Sequence, residues 1–244
     1  MRAYGSIPHL PGSRTGPADR HLDAARAAWC VDPARALDDA VVTVQEKLDG
    51  SCVAVLREGD TVRALGREGR LASASPNAAR RMFARWVEAR RGRFLALLGD
   101  GERAVGEWLA LVHGTRYALT HEPFVVFDLM RGAERALVCD VEARAGAQGF
   151  ATPHALHRGA PLPVADALAA LGERGFHGAG DPAEGVVYRV ERAGSVRVVA
   201  KHVRHGKADG RWLPENTGLP ALWNHHDGVD DGPDLHHFER PQGR

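Results

Sequence analysis

Residues 41–50 read Val-Val-Thr-Val-Gln-Glu-Lys-Leu-Asp-Gly, and the fold class is read from this stretch. Val41 to Glu46 is rich in β-branched residues, which suit a pleated, half-buried strand. The run ends in Lys47-Leu48-Asp49-Gly50, where Asp and Gly together signal a turn. A lysine therefore stands where a strand ends in a tight turn. Taken alone this says little, because most lysines beside turns are solvated.

Downstream, Cys52–Arg57 and Thr61–Leu65 read as a hairpin across Glu58-Gly59-Asp60. Pro76 to Leu98 has helical character, with Pro near its start and Met82, Phe83, Trp86, Val87, Phe94, Leu97 and Leu98 at mixed spacings of three and four. Gly92 is expected to divide it. Strands come next at 103–109 and 123–130, helices at 139–147 and 163–174, and strands at 185–191 and 195–203. Upstream, a short helix is expected at 32–39, and residues 5–20, rich in Pro and Gly, read as irregular coil. Antiparallel strands with a few inserted helices give an α+β class. No internal repeat is visible. The tail 225–244 carries His225, His226, His236 and His237 among Asp residues; it reads as a frayed terminus rather than a metal site.

Composition narrows the function. The 244 residues carry 32 basic and 31 acidic side chains, a net charge of +1. That balance argues against a protein coated in nucleic acid and leaves room for a local basic groove. Cys30, Cys52 and Cys139 are far apart, so neither a disulfide framework nor a CxxC knuckle is implied, and reduced thiols in a cytoplasmic protein are expected. Residues 1–22 have no apolar run and do not read as a signal peptide. No stretch of about 20 apolar residues predicts a membrane span. Walker A, zinc-finger and GxSxG patterns are missing.

Lys47 gains meaning from an ordered series of motifs downstream. Gly66-Arg67-Glu68-Gly69 comes after the hairpin, and Gly106-Glu107-Trp108 ends a strand. Phe124-Val-Val-Phe127-Asp128-Leu129 forms another strand. Glu184-Gly185-Val186-Val187-Tyr188-Arg189 opens a further one, and Val199-Ala200-Lys201-His202-Val203-Arg204 closes the series. Each motif is weak and the ordered set is strong. The set resembles nucleotidyltransferase motifs I, Ia, III, IIIa, IV and V of ATP-dependent ligases and mRNA capping enzymes. The opening Ile7-Pro-His-Leu-Pro-Gly-Ser13 and Glu46-Lys-Leu-Asp-Gly-Ser51 look more like RNA ligases than DNA ligases. Two positions depart from the pattern: Cys52 stands where DNA ligases usually carry Arg and many RNA ligases Asn, and Val203 stands where a second motif V lysine is usual.

The resemblance implies an ATP-grasp-like nucleotidyltransferase fold of antiparallel sheets with flanking helices. No OB domain is expected. Residues 1–204 would be the adenylation domain and 205–244 a short C-terminal extension. It further implies an ATP-dependent RNA ligase in which Lys47 attacks ATP and carries AMP. By the same resemblance Arg67 contacts the ribose or phosphates, Phe127 stacks on the adenine and Glu46 reads the adenine edge. Glu107 bonds the ribose, and Lys201 touches the α-phosphate, with Arg204 beside it. Asp49 and Glu184 would hold Mg²⁺ or Mn²⁺. The residue types make chemical sense. A lysine nucleophile must lose its proton, and nearby cations or burial lower its pKa. Cations also neutralise charge on the phosphates, and Mg²⁺ takes oxygen ligands while keeping several waters.

Other signals are looser. His113 and Tyr117 either position a loop over the nucleotide or are packing residues. Arg80, Arg81, Arg85, Arg90, Arg91 and Arg93 either follow a phosphate backbone or form a charged solvent face. Lys207 to Trp212 offers basic and aromatic groups to RNA. RNA is the expected partner, with an end-processing kinase or phosphatase as a second candidate. A DNA ligase, a capping-type guanylyltransferase and a nucleotide- or RNA-binding module without turnover are the alternatives.

Overall fold

The structure is a computed structural model that describes residues 2–17 and 19–226. It contains two antiparallel sheets facing each other across a cleft, each backed by helices. In chain order the elements are α1 (Ala24–Val31), β1 (Val41–Lys47), β2 (Ser51–Glu58), β3 (Thr61–Gly66), α2 (Ala78–Ala89), α3 (Arg91–Leu97), β4 (Glu102–Trp108), β5 (Ala118–Leu119) and β6 (Phe124–Arg131). They continue with β7 (Glu134–Arg135), α4 (Val138–Ala147), β8 (Ala155–Gly159), α5 (Val164–Leu171), β9 (Gly185–Arg192), β10 (Ser195–Val203), α6 (Pro214–Thr217) and β11 (His225–His226).

One sheet has the order β10-β9-β1-β8 and the other β3-β2-β4-β6-β7. β1 belongs to the first and β2 to the second, so the three residues Leu48 to Gly50 carry the chain between sheets. Gly50 is required there. A Cβ at this position would lie 2.6 Å from the Trp108 carbonyl oxygen, closer than side chains tolerate. The turn read from the sequence is thus the hinge line of the cleft, with Lys47 at its edge.

Strand alternation assigns each face. In β1, Val42 and Val44 pack into a core with Val186, Tyr188, Val190 and Ala200, covered by Ala27 and Cys30 of α1 and Ala167 and Leu171 of α5. Thr43, Gln45 and Lys47 have the opposite parity and face the cleft. In the second sheet, Val53, Val55, Ala104, Phe124 and Val126 pack under Met82, Phe83, Trp86, Phe94 and Leu97 of α2 and α3. Cys52, Ala54 and Leu56 lie on the other face, against Tyr4, Val105 and Phe127.

The seven strands and most helices placed from the sequence are found, while β5, β7 and edge strand β8 are not foreseen by it, and three expectations are corrected. The first helix is 24–31, not 32–39. Asp23 caps it by accepting from Arg26 N at 2.9 Å, its alanines favour helix, and Asp32-Pro33 stops it because the residue before Pro avoids the α region. The long helix breaks at Arg90 rather than Gly92; the buried Arg90 guanidinium pairs with Glu122 and lies over Trp86. The tail does not fray from 225, since His225 and His226 pair with Ala118 and Leu119. The rest of the predicted tail, 227–244, lies outside the described residues.

The N-terminal coil has fixed partners. The Ala3 and Tyr4 amides donate to the Arg67 carbonyl at 3.0 and 3.1 Å, and Pro8 and Leu10 bond the backbone of Lys201. Residues after β10 are fastened down too: Trp212 N donates to the His113 carbonyl, and Asn224 accepts from Tyr117 N. Among the described residues no helix is long and apolar enough to cross a membrane.

Candidate active site

Between the sheets lies a cavity of about 390 Å³. Gln45, Lys47, Val187, Arg189 and Lys201 line it from the first sheet, and Cys52, Glu107 and Phe127 from the second. Register brings them together: Gln45 pairs with Val187 and Val187 with Lys201, while Lys47 pairs with Gly185. Directly paired residues share a face, so both lysines project into one space. Arg67 extends from the end of β3 into the same cavity, and Tyr4, Gly5 and Ile7 close one side.

Lys47 Nζ donates to Glu184 Oε2 at 2.8 Å. Burial by itself would depress this ammonium, but Glu184, Glu107 and Asp49 outweigh it and hold it above its ordinary value. The sequence-based expectation that cations lower this pKa is not met in the structure; Lys47 is a paired ammonium here. Glu107 accepts from Gly50 N at 3.1 Å, and burial pushes its carboxyl up to about 7. Lys201 behaves in the opposite way, depressed by burial and by Lys47.

Asp49 sits beneath the turn. Its Oδ2 accepts from Gly114 N at 2.9 Å and pairs with Lys207 Nζ at 2.8 Å, and its amide donates to the Tyr117 hydroxyl at 3.0 Å. Lys207 is therefore buried against Asp49 and Thr115, not presented to RNA. Tyr117 is a buried packing residue under the turn. His113 lines the cavity, with its Nε2 3.1 Å from Ser51 Oγ.

The structure thus gathers Lys47, Arg67, Glu107, Phe127, Glu184 and Lys201, with Asp49 just below. It does not gather Arg204, and it turns Glu46 away. Arg204 donates to the carbonyls of Gly172 at 2.5 Å and Glu173 at 3.1 Å, so its charge is spent on the C-terminal end of α5. Glu46 has the parity of Val42 and Val44. Glu46 is among the residues lining the cavity, but its carboxylate is taken up by Phe176 N, from which it accepts at 2.9 Å. Gly175, at φ 71°, is required because a Cβ there would strike that carboxylate. Glu46 and Arg204 both anchor the segment leading to Glu184, and of the two only Glu46 borders the cavity.

Both displaced residues can be checked. Arg204→Ala should leave any nucleotide-dependent activity within about threefold while costing about 1–2 kcal/mol of stability, as chemical denaturation would report. Glu46 gives a pH signature. Burial raises its carboxyl from 4.5 to about 7, so the folded protein binds this proton more tightly than the unfolded chain. Stability should therefore fall as pH rises from about 4.5 to about 7 and level off above. Glu46→Gln should flatten that part of the Tm-against-pH curve; an unchanged slope would contradict the assignment.

Sequence reasoning misses Tyr4, Gln45, Arg80 and Arg189 as cavity residues. The first three have no local motif. Arg189 stands inside the Glu184 motif, and the same alternation that puts Val187 in the cleft puts Arg189 there. It donates to the Phe127 carbonyl at 3.0 Å and to Asp128 at 3.2 Å, which holds the strand carrying Phe127.

Residues 40–203 match the family model described as RNA ligase. No curated protein matches the sequence. An archaeal ATP-dependent RNA ligase, form 2, has a similar fold over 83% of this chain and 48% of its own, with a TM-score of 0.51 and 19% identity. A Naegleria gruberi RNA ligase variant solved with ATP and Mn is similar over 83% of this chain and 61% of its own, with a TM-score of 0.51 and 16% identity. The chain spans about half to three-fifths of the length of these structures. The family match begins just before β1 and ends with β10, taking in both sheets and the cleft; the chain belongs to the RNA ligase family.

Proposed function

We propose that the protein is an ATP-dependent RNA ligase that works through a covalent lysyl-AMP at Lys47. The observation that carries this reading is the convergence of Lys47, Lys201, Arg67, Glu107 and Phe127 in one cavity, with Glu184 paired to Lys47. A nucleotide triphosphate suits such a cavity, with an aromatic for its base and cations for its phosphates.

In the first step the Lys47 amine attacks the α-phosphorus of ATP and the bond to pyrophosphate breaks. In the second, an oxygen of an RNA 5′-phosphate attacks the phosphoramidate, the N–P bond breaks and the amine is restored. In the third, a 3′-hydroxyl attacks the activated 5′-phosphate, a phosphodiester forms and AMP leaves. Lys201 steadies charge at the α-phosphate, Phe127 stacks on adenine and Glu107 bonds the ribose. Glu184 and Asp49 supply the hard oxygen donors that Mg²⁺ or Mn²⁺ takes. Among the described residues no group of three or more His, Cys, Asp or Glu side chains forms a ready metal centre. A cation held by Glu184 and Asp49 would supply positive charge at the phosphates and would offset the carboxylates that hold Lys47 above its ordinary value.

In this reading the catalytic domain runs to residue 204, with the extension pinned beneath the turn through Lys207. The three free thiols suit a reducing cytoplasm, and a kinase or phosphatase would prepare the RNA ends. Lys201→Ala should lower covalent labelling by ATP about 100-fold; the Arg204→Ala result beside it separates the two motif V cations. The reading as a whole is tested by joining of strands with 5′-phosphate and 3′-hydroxyl ends. ATP-dependent joining of RNA-containing ends is expected, whereas joining confined to all-DNA strands would overturn the substrate assignment.

A further inference from the structure

The basic stretch on α2 and α3 is almost wholly committed to the protein itself. Arg81 donates to the Ser75 and Pro76 carbonyls at 2.9 and 2.8 Å, and Arg90 and Arg93 both pair with Glu122. Arg91 bonds the Asp60 carbonyl, and Arg85 is engaged as well. Arg80 differs. Its guanidinium lines the nucleotide cavity and has no hydrogen-bond or ion-pair partner among the described residues. It lies 3.8 Å from where a Cβ of Gly66 would be, one residue before the Arg67 turn.

The same wall holds Ser51 and His113, whose Oγ and Nε2 are 3.1 Å apart. Burial, with Arg80 contributing, keeps His113 below its ordinary pKa against the opposing pull of Asp49 and Glu215. Lys47 and Lys201 belong to the other sheet. The cleft therefore has Lys47 and Lys201 on one wall, where Arg189 is bound up with Asp128, and Arg67 and Arg80 on the other. A guanidinium fork matches the oxygens of a phosphate in a way that an ammonium does not, and a hydroxyl and an imidazole add further hydrogen bonds.

We propose that Arg80, with Ser51 and His113, forms a second phosphate subsite that takes a terminal phosphate group, apart from the α-phosphate served by Lys47 and Lys201. The inference rests on reading the cleft as a nucleotide site. That chemistry has two sources, the β- and γ-phosphates of ATP or the 5′-phosphate of an RNA end.

Both arms are measured on a Lys47→Ala background, where no covalent step intervenes. One compares binding of ATP with AMP; the other compares a short RNA bearing a 5′-phosphate with the same RNA bearing a 5′-hydroxyl. Arg80→Ala should weaken one phosphorylated ligand at least about tenfold and leave its dephosphorylated counterpart within about twofold. The affected arm names the source. Arg80→Lys should recover part of the loss, and melting temperatures confirm that both variants fold. Equal weakening of phosphorylated and dephosphorylated ligands, no weakening of either, or no preference for the phosphate before substitution would each overturn the subsite. Binding requires no turnover. Labelling of the unsubstituted protein by ATP separates the two readings: an Arg80-dependent phosphate preference with no label on the unsubstituted protein would sink the ligase mechanism and keep the subsite, and normal labelling with no Arg80 effect would do the reverse.

Discussion

Lys47→Ala protein incubated with α-labelled ATP and Mg²⁺ or Mn²⁺ is expected to carry no covalent label, a loss of at least about 1,000-fold against the unsubstituted chain. The size of the effect comes from position. Lys47 is at the end of β1, where the chain crosses between sheets, and its Nζ lies 2.8 Å from Glu184 in the cavity. Lys201, the other lysine of the cavity, is held two strands away in β10 with Asp19 near its ammonium. The substitution leaves Glu184 buried beside Glu107 and Asp49 without its cation, so some stability is lost as well. ATP binding by the variant is the control for folding. Labelling that persists near the original level would mean a different nucleophile.

Asp128→Ala should produce the largest loss of stability, about 3–5 kcal/mol by chemical denaturation. Asp128 is fully buried. It pairs with Arg135 and with Arg189, whose side chain is 2% exposed. Removing the carboxylate strands two guanidiniums, one of them deep in the protein, and that is far costlier than losing a surface pair. It is also a large share of the roughly 5–15 kcal/mol that holds a typical domain together. Function should fall with it. Arg189 also bonds the carbonyl of Phe127, so a loosened Arg189 shifts the aromatic wall of the cleft and weakens ATP binding. A change below about 1 kcal/mol would contradict this picture of the network.

Much of this arrangement is legible in the sequence. The ordered motifs locate Lys47, Arg67, Glu107, Phe127, Glu184 and Lys201, and all six converge on the cleft or, for Glu184, on Lys47 within it. Strand periodicity locates nearly every strand of the two sheets. The misreadings share a physical origin. A motif groups Glu46 with Lys47 and Arg204 with Lys201 because they are close in the chain, whereas a strand sends neighbours to opposite faces. The alternation of Val42 and Val44 with Thr43 and Gln45 already puts Glu46 behind the sheet. Edge strand β8, Ala-Leu-His-Arg-Gly, has one large apolar residue and no alternation to show it. Lys207 reads as an exposed cation because its partner, Asp49, is distant in sequence. Arg80 cannot be told from its neighbours by sequence, since five of six arginines in that stretch are bound up in the protein and only tertiary structure shows which one is not.

The most direct test of the central claim is peptide mapping by mass spectrometry after the protein is mixed with ATP and a divalent cation and quenched in base, where a phosphoramidate survives. The account predicts one AMP on the peptide containing Lys47, lost on brief acid treatment and transferred away when RNA with a 5′-phosphate is added first. AMP on any other residue, or no adduct in a protein that nevertheless joins RNA with ATP, would contradict it.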